Sequence, residues 1–249
     1  MSKSAKENRE EWCAAHFGDE MPDCLPLPDK RETYRSEWAC VSVPLPEAGK
    51  IAASEMAASV LFLLGMYGGI EEAALLVRDE SGWIPLRADW NGDTTPSALA
   101  GKAGDMRKAA KSFAWTKQEA WDALGQEKGR GIALSVAGEV PQEEREGFAL
   151  LFQSEDDGLT VSYAVSCYTV KFIEVLALSW KEILLSFPKA RNLSELRVTA
   201  DETLKTLDSF NETARDYDRK ATIVDQFRAR AAEMPENIAA SSLSFSALY

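Results

Sequence analysis

The sequence predicts an α+β fold, a mixed sheet covered by helices, and three features of residues 147–187 carry that prediction. First, Leu159, Val161, Tyr163, Val165 and Cys167 alternate with Thr160, Ser162, Ala164 and Ser166. That period of two sends alternate side chains to opposite faces of a sheet, here one face buried and the other small and polar. Second, residues 148–153 are apolar at nearly every position, as in a strand covered on both sides, and Glu155, Asp156, Asp157 and Gly158 separate the two runs. Asp-Gly accommodates the positive φ of a tight hairpin turn. Third, Ile173, Leu176, Ala177, Trp180, Ile183, Leu184 and Phe187 recur at spacings of three and four on one helical stripe, which Pro188 closes. A helix with such a stripe needs a sheet face on which to bury it.

The remaining elements follow from the N-terminus. Residues 5–17 read as a helix with Trp12 and Ala15 on its inner face, ended by Gly18. A connector marked by Pro22, Pro26 and Pro28 leads to a strand over 34–43, stopped by Pro44 and Pro46. Residues 47–67 form an Ala-rich helix that is apolar almost all round from Val60 onward, the pattern of a central packed helix, and Gly68 and Gly69 close it. Strands at 73–77 and 83–88 flank a tight connection. Thr95 caps a helix running to about residue 113, with Pro96 where the missing donor costs nothing. A shorter helix at 117–124 and a strand at 132–136 complete this part. Beyond Pro188 the chain turns polar: residues 189–221 read as a linker holding a short helix near 200–210 capped by Thr199. A helix at 221–233, ended by Pro235, precedes two short strands at 238–240 and 243–245.

Composition narrows the function. With 45% hydrophobic and 27% charged residues among 249, the chain can build a packed core. A net charge of -12 with no clustered basic run opposes nucleic-acid binding. The apolar run 56–67 is shorter than the ~20 residues a membrane span requires, and no cleavable apolar segment follows Met1, so a cytoplasmic protein with no membrane partner is expected. Cys13, Cys24, Cys40 and Cys167 lack the spacing of a disulfide framework or zinc cluster, and no metal or cofactor is expected. Cys13 and His16 share one helical turn without the further ligands a site requires.

A family resemblance enters through the tail. Residues 222–239 (TIVDQFRARAAEMPENIA) and 243–248 (LSFSAL) resemble the start of an adenylation domain of nonribosomal peptide synthetases and related adenylate-forming enzymes. Residues 196–202 (LRVTADE) and 210–213 (FNET) resemble the linker that joins a condensation domain to it. Upstream, residues 12–28, Pro85-Leu86-Arg87 and the 148–187 region follow in order the C-terminal lobe of a condensation domain, a lobe of the chloramphenicol acetyltransferase type. The segment 66–85 is shorter than its counterpart in working condensation domains, where it carries a loop flooring the tunnel. The whole is similar to the N-terminal region of α-aminoadipate reductase and to remnants before synthetase starter modules. This resemblance implies a condensation-like lobe over 1–188, a linker over 189–221 and the start of an adenylation domain over 222–249.

The resemblance also implies what is missing. Amide formation in that family relies on His-His-x-x-x-Asp-Gly, whereas this sequence has one histidine, His16, in Ala-Ala-His-Phe-Gly. Asp157-Gly158 is a turn, the glycines of 125–131 lack a phosphate-loop pattern, and no Gly-x-Ser-x-Gly elbow occurs. No catalytic, cofactor-binding or metal residue is therefore assigned. Two functions are expected. One is a non-catalytic platform for an adenylation domain, in cis or in trans, with an exposed apolar patch. The other is half of an acyltransferase or condensation site, completed by a partner lobe or a carrier protein, in which His16 is the candidate base.

Overall fold

The computed structural model describes residues 5–18, 22–28, 37–113, 115–125, 130–213, 222–235, 238–240 and 243–244. By internal packing the chain divides into a unit over 1–204 and another over 205–249.

The first unit is built on a six-stranded mixed sheet. Its strands are β1 (Trp38–Pro44), β2 (Glu72–Asp79), β3 (Gly82–Asp89), β4 (Gly131–Ser135), β5 (Phe148–Glu155) and β6 (Gly158–Ala164), in the order β1-β6-β5-β4-β2-β3. β1–β6, β6–β5 and β2–β3 pair antiparallel, while β5–β4 and β4–β2 pair parallel. The alternation read over 159–167 holds in β6, whose Leu159, Val161 and Tyr163 enter the first buried cluster, although the strand ends at Ala164, and β2 alternates as well. Ala73, Leu75 and Val77 enter one buried cluster and Ala74 and Leu76 another, on the opposite face. In β5 that phase breaks: Phe148 and Leu151 face the second cluster, and Ala149, Leu150 and Phe152 face the first. The register against β4 steps from Gly131↔Phe148 to Ile132↔Leu150, so Ala149 is the extra residue of a bulge.

The first face is covered by α2 (Ala53–Gly68), α3 (Pro96–Ala110) and α5 (Val170–Ser186). α2 is buried without interruption from Met56 to Gly65, so the all-round packing expected from Val60 onward stops short of Met66, which is exposed, and Tyr67, which is half-buried. Trp180 of α5 is fully buried, stands edge-on to Phe152 at 5.2 Å, and donates its indole N–H to Ser59 Oγ of α2 at 2.9 Å. The second face is covered by α1 (Ala5–Phe17) and α4 (Lys117–Ala123), whose Phe17, Ala120 and Trp121 pack with Trp83 and Phe148. Thr95 caps α3 as expected, accepting from the Ala98 N–H, and Thr116 and Glu119 form a capping box on α4.

Several expectations are corrected. The α-helix predicted from residue 47 begins at Ala53, because Glu47 adopts a left-handed φ of 65° and only a short 3-10 turn, Ala48–Lys50, precedes the extended Ile51. The polar face of β6 is not open: Thr160 and Ser162 are buried, and their hydroxyls bond with Ser42 (2.8 Å), Glu155 (3.1 Å) and Gln153 (3.3 Å). The strand predicted over 34–43 is described from Trp38 onward, residues 34–36 lying outside the described residues. The first third of the expected linker is core, since Leu193, Leu196 and Ala200 are buried, with Leu193 and Leu196 in the first cluster. α6 (Asp201–Asn211) follows, and its Leu204 N–H bonds to the Ala200 carbonyl, so Ala200 occupies the cap position expected for Thr199.

α6 ends in the second unit, which also holds α7 (Ile223–Glu233) and a hairpin of β7 (Ile238–Ala240) and β8 (Leu243–Ser244). Thr222 and Asp225 form a capping box on α7, whose hydrogen bonds hold the exposed Asp225 carboxyl below its usual range.

Candidate functional site

His16 sits near the exposed end of α1. Its ring stacks on Trp12 at 4.6 Å, and Nδ1 lies 2.8 Å from the Trp12 carbonyl oxygen, to which it donates. The imidazole is thus held by its own helix. Cys13 is one turn from Arg9 and half-buried, and burial pushes its thiol up, away from nucleophilic use. Cys24 is buried, its Sγ 3.4 Å from the Ala74 carbonyl, and burial likewise raises its pKa. Among the described residues no group of three or more His, Cys, Asp or Glu could hold a metal ion. The expected turn forms without the positive φ anticipated at Asp157-Gly158: Gly158 already pairs with Glu155 as the first residue of β6, and the Asp157 carbonyl accepts from the Leu45 N–H. Glu72 bonds Arg87, and its neighbour Glu71 lines a groove.

That groove is an apolar concavity of about 300 Å³ between the end of α2, the loop after β3 and residues 193–198. Its shape follows from one glycine. A Cβ on Gly65 would lie 2.3 Å from the Trp90 ring, so only glycine lets the indole cross α2, where it also meets Phe62 at 6.1 Å. Backbone bonds fix the walls: the Ile70 N–H donates to the Gly65 carbonyl, the Trp90 N–H to the Glu71 carbonyl, and the Leu193 N–H to the Thr94 carbonyl. Met66, 53% exposed, and Ile70, 36% exposed, form an apolar lip. The sequence places Met66 in the packed helix and Ile70 just past its closing glycines, and the groove is made by Leu193 and Leu196 returning from the stretch expected to be linker. Chemically the groove suits an apolar side chain. Its lining hydroxyl, Ser194, donates to Asn192 Oδ1 at 2.6 Å.

Further apolar side chains stand exposed on α6, where Leu204, Leu207 and Phe210 recur at every third position with exposures of 43, 48 and 70%. Ile223 and Val224 of α7 are exposed as well.

No family model matches the sequence, and no curated protein matches it. Solved structures do. The four-domain nonribosomal peptide synthetase AB3403, bound to AMP and glycine, aligns over 100% of this chain and 24% of its own length, with 10% identity and a TM-score of 0.71. The X-domain in its complex with OxyB from teicoplanin biosynthesis aligns over 80% of this chain and 56% of its own, with 16% identity and a TM-score of 0.63. The starter condensation domain of rhizomide synthetase RzmA aligns over 79% of this chain and 55% of its own, with 12% identity and a TM-score of 0.61. The fold is that of condensation domains, the chloramphenicol acetyltransferase-like α+β arrangement with a mixed sheet covered by helices. The chain spans about half the length of the condensation-domain and X-domain structures it matches. Among the described residues no helix is long and apolar enough to cross a membrane.

Proposed function

We propose that the chain is a non-catalytic condensation-like lobe that serves as a structural platform for the adenylation domain of a nonribosomal peptide synthetase or related adenylate-forming enzyme. The observation that carries this reading is the alignment of all of this chain, both units included, with one quarter of a multidomain synthetase. The tail motifs at 222–239 and 243–248, and a single histidine where the family motif needs two adjacent ones, support it. The exposed apolar lip of Met66 and Ile70 and the stripe of α6 are surfaces of the kind a platform presents.

The test is amino-acid-dependent ATP–pyrophosphate exchange by the cognate adenylation domain with and without this polypeptide, fused or added. A fall in activity or soluble yield without it is the expected result, and equal activity and yield in both arms overturn the platform role.

A second reading is favoured by the half-length match to condensation and X-domain structures. In it, a partner lobe or carrier protein completes an acyltransferase site. It makes His16 the base, so unchanged acyl transfer by His16→Ala with a candidate partner lobe removes it.

A further inference from the structure

We propose that the rings of Trp83, Trp121 and Phe148, with the backbone carbonyls of Glu144 and Glu146, form a recognition cage for a primary ammonium, occupied by the chain's own Lys117, and that this occupancy locks the 136–147 crossover over the second sheet face. β4 and β5 are parallel neighbours, which require a crossover connection, commonly a helix. Here residues 136–147 cross with only the short 3-10 turn Gln142–Glu144. The crossover's N–H groups at Glu144 and Arg145 bond within the segment itself, to Pro141 and Gln142. Backbone bonds tie its two ends to the sheet, the Val136 N–H to the Arg78 carbonyl and the Gly131 N–H to the Gly147 carbonyl, and side chains hold the stretch between.

The Lys117 ammonium supplies the central hold. It lies 4.6 Å from the Phe148 ring centre, 5.8 Å from that of Trp121 and 6.0 Å from that of Trp83. It donates to the Glu144 carbonyl at 2.6 Å and the Glu146 carbonyl at 2.8 Å. Ring faces attract any cation, but two carbonyls at hydrogen-bond distance select one that has N–H groups to give. The Glu144 carboxylate is held separately, by Arg78 Nε at 3.2 Å and the Trp83 indole N–H at 3.1 Å. Beside the cage a cleft of about 400 Å³, lined by Lys117, Trp121, Glu143 and Glu146 among others, opens to solvent and gives a small cation a route inward.

The experiment is amide hydrogen exchange on the full chain, comparing wild type, Lys117→Met and Lys117→Ala, with α5 as the internal reference. Methionine keeps an apolar chain of similar length without the charge or donors. Exchange over 139–147 is expected to rise about ten- to a hundredfold in both variants, with α5 unchanged, because a caged charge and two charge-assisted hydrogen bonds are lost. Excess methylammonium is expected to restore protection in Lys117→Ala, whereas tetramethylammonium, which cannot donate, and sodium chloride at equal ionic strength do not. Wild-type protection in Lys117→Met overturns the lock, since packing alone then suffices. Loss of protection in Lys117→Ala that methylammonium leaves unchanged overturns the recognition of an ammonium. If Lys117→Ala also loses α5 protection, the same additions to Lys117→Met decide: rescue there, where the methionine tail fills the cage, contradicts the cage, and its absence beside selective opening of 139–147 supports it.

Discussion

Asp79 shows what a single residue contributes that periodicity cannot reveal. Its carboxylate, with 3% of the side chain exposed, receives Lys111 at 2.6 Å and Arg107 at 3.0 Å from the end of α3, together with the Ser81 N–H at 2.8 Å. Burial pushes this carboxyl up, but the bonds from Lys111 and Ser81 outweigh it and hold the pKa below the usual value. A depressed carboxyl stabilises the fold above its unfolded pKa of about 4, and that contribution is lost as pH falls through the folded value. Asp79→Asn should therefore cost about 1–3 kcal/mol at pH 7, limited by the partial exposure of Arg107 and Lys111. The gap from wild type should narrow in acid, as urea unfolding at neutral and acidic pH measures. A gap of equal size at both would mean that the carboxylate's charge is not what matters. The sequence marked residues 79–82 as a tight turn and nothing more. Arg107 lies 28 positions away, and no local pattern links the two.

At the scale of elements, alternation and helical stripes located the strands and helices of the first unit, because burial of one face is written locally in the sequence. Their spatial order was not, since β2, β4 and β5 are all apolar runs that could exchange places without changing any period. What fixes α4 against β4 and β5 is a contact between a large and an absent side chain. The Trp121 ring lies over Gly131 and Gly147, and a Cβ on Gly131 would stand 2.1 Å from it. Of the glycines in 125–131, Gly125 takes the left-handed φ of 57° that ends α4, residues 126–129 lie outside the described residues, and Gly131 makes room for Trp121. Gly131→Ala should destabilise the chain by about 1–3 kcal/mol, seen as a lower urea midpoint at unchanged slope. Adding Trp121→Leu should recover part of that loss, because the two changes share one contact. Strictly additive losses would show that the strain lies elsewhere. The groove was illegible for a related reason: its walls come from Phe62, Trp90 and Leu193, which no element shares.

At the scale of the whole molecule, the point where the first unit stops can be decided by truncation. Composition placed the linker at 189–221, because Lys189, Arg191, Asn192, Ser194 and Glu195 outnumber the apolar residues beside them. Three side chains reverse that reading for its first part: Leu193, Leu196 and Ala200 are 2, 7 and 1% exposed, and Leu193 is tied by its N–H to the Thr94 carbonyl. From α6 onward the balance changes, and neither α6 nor α7 holds a buried residue. A chain ending after residue 211 should therefore melt within about 1–2 °C of the full sequence, since no residue of the α7 it removes is buried and exposed positions each contribute about 0.5 kcal/mol or less. A chain ending after residue 192 should lose about 3–6 kcal/mol, the burial of two leucine side chains at 1.5–3 kcal/mol each, and expose Trp90 and Phe62 along the groove. Thermal unfolding followed by tryptophan fluorescence separates the two cuts. Equal stability for both would return residues 193–200 to the linker and remove a wall from the groove. A large loss on the first cut would show instead that the chain beyond residue 211 contributes to the stability of the lobe, and the chain would then have to be treated as one cooperative body.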